Sequence, residues 1–295
     1  MVTLGYKLNS YLKLFRVWQW SKNLLIIVPI ILSDSFNYEK LINSVILFFI
    51  FSLFVSGNYI LNDLNDINLD KNHPEKMYRP IASGEISKYQ GLIISLILFI
   101  ISTATAYLYY KIEIVFLFLI YLCIALLYTK FLKFINLIDS ITISTLFLLR
   151  LLIGGFSSDV EITIYLYTFT FFMSMFIVYL KKNSILNKEI SNQNFFQQKL
   201  LKQHKKFSFQ KILYLLGILV NICLVLWGES ISDNFTTSKY ISMIGFAILF
   251  LLITFRLIKN SSEGGLEDFV LGLFNDKVML VLTSIVSVLF IYFYF

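Results

Sequence analysis

Charge is scarce in this sequence. Only 15% of its 295 residues are charged, against 58% hydrophobic. Soluble globular chains are usually about 45–50% apolar, so the balance excludes a soluble globule. Cysteine is nearly absent. Cys123 and Cys223 sit in separate apolar runs without metal-ligand spacing, which excludes a disulfide framework beyond one pair and gives no sign of redox chemistry. The two histidines, His73 and His204, are too few and too far apart for a His-ligated metal or a general-base dyad. No proline follows Pro80, so the later apolar segments carry no proline kinks. The formal net charge is +7, but the excess lies in segments between apolar runs. It reflects loops on one side of a membrane rather than a nucleic-acid footprint. No cleavable signal peptide is expected, because the first apolar run holds Arg16, Gln19, Lys22 and Asn23 and lacks a small-residue cleavage site.

What is present is a series of apolar runs. A helix needs about 20 mostly apolar residues to cross a bilayer. Nine segments qualify: 14–33, 41–61, 91–110, 112–130, 137–156, 162–180, 211–228, 239–258 and 277–295. The expected fold is an all-α, polytopic membrane bundle of about nine transmembrane helices, forming a single domain over residues 1–295. Placing the N-terminus in the cytoplasm leaves only Lys40, Lys111 and Lys239 on outer segments, with Arg150 inside a span; the rest of the 25 Lys and Arg lie at or near the inner side. That asymmetry supports an odd span count in a cytoplasmic (inner) membrane, with the N-terminus inside. The basic stretch 181–210, with Lys181, Lys182, Lys188, Lys199, Lys202, Lys205 and Lys206, reads as an inner loop containing an amphipathic helix on anionic lipid. Glu263, Glu267 and Asp268 form an acidic inner loop, read as solvated or as a lid.

The chemistry is concentrated in NDLNDINLDKNHPEKMYRPIASG, residues 62–84. Asp63, Asp66 and Asp70 are spaced i, i+3, i+7, which puts them on one helical face, with Asn62 one turn before Asp66. Such carboxylates repel each other unless a cation lies between them. Oxygen donors of this kind suit a hard divalent ion, best Mg²⁺, which bridges to substrate phosphates. Lys71, Lys76 and Arg79 follow and can neutralise phosphate oxygens. The segment therefore suggests capture of a diphosphate at a membrane surface. Arg16, Gln19 and Asn23 share a face by the same spacing, with Lys22 offset. Residues 128–139 hold one carboxylate, Asp139, beside Tyr128, Lys130 and Lys133. A lysine-rich second site suits an anionic co-substrate. Arg150 is too deep in its span to snorkel, and should reach a cavity anion or an internal carboxylate. Asp139 lies about three turns before it, on a similar face. Gly57 either marks a place for close helix packing or is incidental.

The pattern Asn62-Asp63-x-x-Asp66-x-x-x-Asp70, followed by Arg79-Pro80-Ile81 and Gly84, resembles the first aspartate-rich motif of the UbiA superfamily of intramembrane transferases. Within it, the decaprenyl-phosphate phosphoribosyltransferase branch fits best. Arg16, Gln19-Trp20 and Lys22-Asn23 are similar to its R-x-x-Q-W-x-K-N opening. His73-Pro74, Lys76 and Arg79 to Ala82 match its H-P-x-K-x-x-R-P-I-A. Tyr128, Leu132-Lys133 and Asp139 resemble its second motif, with Thr129 where Ser is usual. Leu149-Arg150 and Gly154-Gly155 resemble its L-R-x-x-x-G-G, and Lys181-Lys182 stands where Lys-Arg is frequent.

The resemblance implies transfer of a 5-phosphoribosyl group from 5-phosphoribosyl diphosphate to a polyprenyl phosphate at the cytoplasmic membrane face. It implies Mg²⁺ on Asn62, Asp63, Asp66 and Asp70, the three aspartates being the catalytic set. Donor phosphates would fall to Lys76 and Arg79, and the lipid phosphate to Lys133, Arg150 and Lys181, with Lys22, Tyr128 and Asp139 as further substrate contacts. Association into a homo-oligomer stays open, as do prenyl length and geometry. The nearest rival is a prenyltransferase using a prenyl diphosphate and an aromatic or glycerol-phosphate acceptor. The missing second acidic cluster speaks against it. A secondary transporter is the rival of another class; charges gathered on one membrane face, without inverted repeats, speak against that.

Overall fold

The computed structural model describes residues 2–188, 209–230, 236–266, 272 and 276–294. The chain falls into two compact units, Met1–Ile162 and Thr163–Phe295. All its regular elements are helical among the described residues, and eight are long and apolar enough to cross a membrane.

The first unit holds α1 (Val2–Phe15), a 3-10 helix (Val17–Ile26), α2 (Val28–Ile31), α3 (Tyr38–Asn65), α4 (Ile67–Lys71), α5 (Lys88–Tyr109), α6 (Ile112–Lys130) and α7 (Asn136–Ser158). Helix α3 starts at Asn37, whose side chain accepts from the Glu39 amide. A reciprocal capping box between Ser87 and Gln90 starts α5. Phe51, Phe54 and Phe118 pack the core between α3 and α6. The expectation of close packing at Gly57 is met: an added Cβ there would lie 3.2 Å from the Phe99 ring of α5, and Ser95 Oγ donates to the Gly57 carbonyl at 3.0 Å.

The second unit holds α8 (Ile164–Lys188), α9 (Phe209–Ser230), α10 (Thr237–Ser262) and α11 (Lys277–Tyr294). Its core runs through Phe176, Leu213, Phe246 and Phe293. Arg256 makes a two-point bond with Asp276, and Asn260 adds a third contact at 2.7 Å. Asp276 also accepts from the Val278 and Met279 amides, so one carboxylate starts α11 and ties it to α10. These donors hold the Asp276 carboxyl well below the usual carboxylate range.

Two features differ from the sequence expectation. The segment 14–33 is not one helix. Arg16 takes a left-handed conformation (φ 51°), the chain then winds as a 3-10 helix, and α2 begins with Pro29 in its first turn. The 3-10 helix ends in a close backbone contact with α7, since a Cβ on Gly154 would lie 2.2 Å from the Ile26 carbonyl oxygen. Helix α8 also runs past the expected end at 180, so Lys181, Lys182 and Lys188 belong to it. The interfacial helix expected within 181–210 otherwise lies outside the described residues, as do Glu267 and Asp268 of the acidic loop.

Candidate active site

The site is built where α3 ends. Asp63 lies in the last turn of α3, Asp66 caps that helix, and Asp70 lies in α4. The break at Asp66 (φ −99°, ψ 10°) ends the single helical face that the spacing suggests. The carboxylates therefore divide. Asp63 and Asp70, each only 3% exposed, share one cation: Arg79 Nη1 lies 3.0 Å from Asp63 Oδ1 and 2.6 Å from Asp70 Oδ2. Arg16 also pairs with Asp63, its guanidinium lying over the Tyr59 ring. Asp66 turns to Lys133, whose Nζ lies 2.8 and 2.9 Å from its two oxygens. Asn62 Oδ1 accepts from Thr129 Oγ1 at 3.0 Å.

Each cation is delivered by a local fold. Arg79 opens a loop nailed down by Ile81 and Ile86, which are buried with Ile60 and Leu98. The Ser83 amide donates to the Arg79 carbonyl, and Gly84 (φ 85°) makes the left-handed turn that closes the loop. Lys133 sits in a 3-10 turn, Leu132–Phe134, between α6 and α7. Arg16 is placed by the 3-10 helix, which docks on a serine stripe of α3: Trp20 Nε1 donates to Ser56 Oγ (3.1 Å) and Asn23 Nδ2 to Ser52 Oγ (3.0 Å). Sequence reasoning did not assign Arg16 a contact at the site. Its spacing from Gln19 and Asn23 suggested a shared face, but a three-residue turn carries Asn23 a third of a turn away from it.

Lys76 is half-buried beside this cluster, and burial, then Arg79, pushes its ammonium below the ordinary lysine range. His73 Nδ1 accepts from the Glu75 and Lys76 amides, so it acts as a loop contact. Burial, then Lys76, lowers its pKa.

The remaining expected site residues make the following contacts. Lys22 is exposed and donates to Gln19. Tyr128 donates to Asp139 Oδ1 at 3.1 Å, and Asp139 is buried in the wall of the unit. Arg150, 3% exposed, neither snorkels nor meets an anion. Its guanidinium donates to Asn23 Oδ1 (2.8 Å), the Leu146 carbonyl (2.6 Å) and the Tyr121 hydroxyl (2.7 Å), among the rings of Phe51, Tyr121 and Phe147. Neutral acceptors thus hold the Arg150 guanidinium in this structure, and no carboxylate pairs with it among the described residues. Lys181 is exposed in the second unit.

Among the described residues, no three His, Cys, Asp or Glu side chains already converge on a metal site. The donor chemistry still fits a hard ion: Asn62, Asp63, Asp66 and Asp70 offer only oxygen from their acceptor ends, and three cations now compensate the carboxylates.

The UbiA prenyltransferase family profile matches residues 26–275. The chain is 26% identical over 282 residues to a decaprenyl-phosphate phosphoribosyltransferase of Corynebacterium glutamicum, covering 93% of this chain and 83% of that one. It is 32% identical over 174 residues to the uncharacterized protein y4nM of Sinorhizobium fredii, covering 58% of this chain and 34% of that protein; it spans about a third of that relative's length. Among solved structures, it resembles a digeranylgeranylglyceryl phosphate synthase (TM-score 0.67, 22% identity, 98% of this chain and 99% of that one). It also resembles a UbiA homologue from Archaeoglobus fulgidus bound to GPP and Mg²⁺ (TM-score 0.63, 18% identity, 97% and 98%). These structural likenesses show the fold.

Proposed function

The chain belongs to the UbiA prenyltransferase family, and from that premise we propose that it is a polyprenyl-phosphate phosphoribosyltransferase. The observation that carries this reading is the likeness to decaprenyl-phosphate phosphoribosyltransferases across most of the chain. The site supports it. The second motif brings Lys133 to the aspartate cluster, while its single carboxylate, Asp139, is buried under Tyr128. That leaves a cation where a user of prenyl diphosphate usually has a second acidic cluster.

The donor is 5-phosphoribosyl diphosphate. A phosphate oxygen of the polyprenyl phosphate attacks its anomeric carbon. The bond from that carbon to the diphosphate oxygen breaks, and diphosphate leaves. A phosphate monoester is already anionic near neutral pH (second pKa about 6), so the step needs little general-base help. Catalysis is positioning and charge neutralisation. Asn62, Asp63, Asp66 and Asp70 would hold Mg²⁺, which when bound neutralises charge on the leaving diphosphate. Arg79 and Lys133 now balance carboxylates. With a divalent ion on those oxygens, they can turn to phosphate, Lys76 and Arg79 toward the donor and Lys133 toward the lipid. The donor enters from the cytoplasm and the lipid slides in from the bilayer.

Purified protein incubated with Mg²⁺, a polyprenyl phosphate and labelled phosphoribosyl diphosphate tests the reading. Label should move into the lipid phase. Absence of transfer, with turnover of a prenyl diphosphate onto an aromatic or glycerol-phosphate acceptor instead, would establish the rival prenyltransferase.

A further inference from the structure

One buried polar group in the first unit is left over from this account. Asn58 lies in α3 and is only 7% exposed, and its Oδ1 is buried without a hydrogen-bond partner among the described residues. An amide oxygen withdrawn from water without a donor forfeits its hydration, and native chains seldom tolerate that without reason.

Its position is informative. Phe51, Phe54, Asn58 and Asn62 follow the i, i+3, i+7, i+11 line of α3, and that line faces α6. The Phe51 ring is 5.1 Å from that of Tyr121, the Phe54 ring is 4.8 Å from that of Phe118, and Asn62 meets Thr129. One turn back from Asn62, about 6 Å toward the bilayer, stands Asn58. One turn back from Thr129 stands Ala125, whose methyl group offers no donor. A vacant acceptor therefore lies one helical turn below the aspartate cluster, on the face that carries Asn62.

The chemistry of a partner is restricted. Oδ1 needs an O–H or N–H. A prenyl chain next to the diphosphate would bring only C–H groups and leave the amide unpaired. A pentose brings hydroxyls at the two carbons beyond its anomeric centre. We infer that Asn58 is a specificity-determining contact, accepting a hydrogen bond from a ring hydroxyl of the pentose donor. This rests on the phosphoribosyl reading, and it gives the chain a means of preferring a sugar diphosphate over a prenyl diphosphate.

The test compares 5-phosphoribosyl diphosphate with its 2-deoxy and 3-deoxy analogues, for the wild type, Asn58→Ala and Asn58→Leu; leucine fills the volume without an acceptor. Removing a hydroxyl changes intrinsic reactivity, so the informative quantity is the preference of each variant relative to the wild type. Wild type should prefer the full donor over one analogue by about 10- to 100-fold in kcat/KM. Both variants should lose that preference through slower use of the full donor, while the KM for polyprenyl phosphate stays put. Retention of the wild-type preference by either folded variant would overturn the inference, since the oxygen would then be satisfied by water or left idle. So would a wild type that turns over the full donor and both analogues alike, which needs no variant and leaves the phosphoribosyl reading standing. A wild type that transfers no pentose at all would overturn both.

Discussion

Two arginine-centred clusters lie in the first unit, and they are built in opposite ways. At the C-terminal end of α3, Arg16 and Arg79 meet carboxylates, and the side chains of Arg79 and Lys133 keep 25% and 13% of their surface open. Deeper, Arg150 is sealed and meets neutral acceptors and ring faces. A cation balanced by a carboxylate at a wet edge can exchange partners when a phosphate and a divalent ion arrive together, because the net charge of the site is conserved. A cation sealed among neutral groups cannot leave without stranding their acceptors. Charge alone therefore does not mark a substrate contact; exposure and the exchangeability of the partner do.

The largest effect should come from the exchangeable cluster. Asp66→Ala should reduce turnover at least 100-fold while the protein stays folded and membrane-inserted. Assays with the variant, and with excess chelator on the wild type, check it; near-normal activity in chelator would break the comparison at its root.

Next come the two cations. Arg79→Ala should raise the KM for phosphoribosyl diphosphate by about 10- to 100-fold, as for loss of a charged hydrogen bond. Lys133→Ala should act on the polyprenyl phosphate instead, or lower kcat if the lysine positions the attacking oxygen. Kinetics with each substrate varied separately separate the two, and a reversed pattern would exchange the assignments.

The sealed cluster should respond in stability instead. Arg150→Met should cost about 1–3 kcal/mol by stranding Asn23 and Tyr121. Gly154→Ala should cost about the same by pushing the Ile26 backbone off α7. Thermal unfolding in detergent measures both, and the KM values in folded protein should barely move. A large KM shift for Arg150→Met at unchanged stability would return this residue to the substrate site.

The smallest effect concerns an ion pair outside both clusters. Arg256 and Asn260 lower the Asp276 pKa in the folded state. The pair's stabilisation is therefore complete above the unfolded carboxyl value of about 3.9 and fades as pH falls through the lower folded value. Asp276→Asn should lower the melting temperature modestly at pH 7, and the gap from wild type should close below about pH 4. A gap that persists unchanged in acid would mean that Asp276 acts through something other than its charge.

The membrane class, the all-helical fold and the family were legible in the sequence. Each depends on composition or short spacing: long apolar runs must be helical in lipid because no other open backbone is satisfied there, and clustered aspartates need cations wherever they are. The close approach at Gly57 was legible for the same local reason. What only the tertiary structure decided depends on distant segments meeting. The helical rule placed Arg16 and Asn23 on one face, yet the segment winds as a 3-10 helix whose end packs closely on Gly154 of α7. It then sends Arg16 to Asp63 and gives Asn23 to Ser52 and Arg150. Arg150 read as an anion seeker because two of its acceptors, Asn23 and Tyr121, come from other helices. Asn58 carried no signal at all. A polar residue in an apolar run is only a composition until its neighbours are known, and an empty acceptor shows itself only once every nearby donor has been placed.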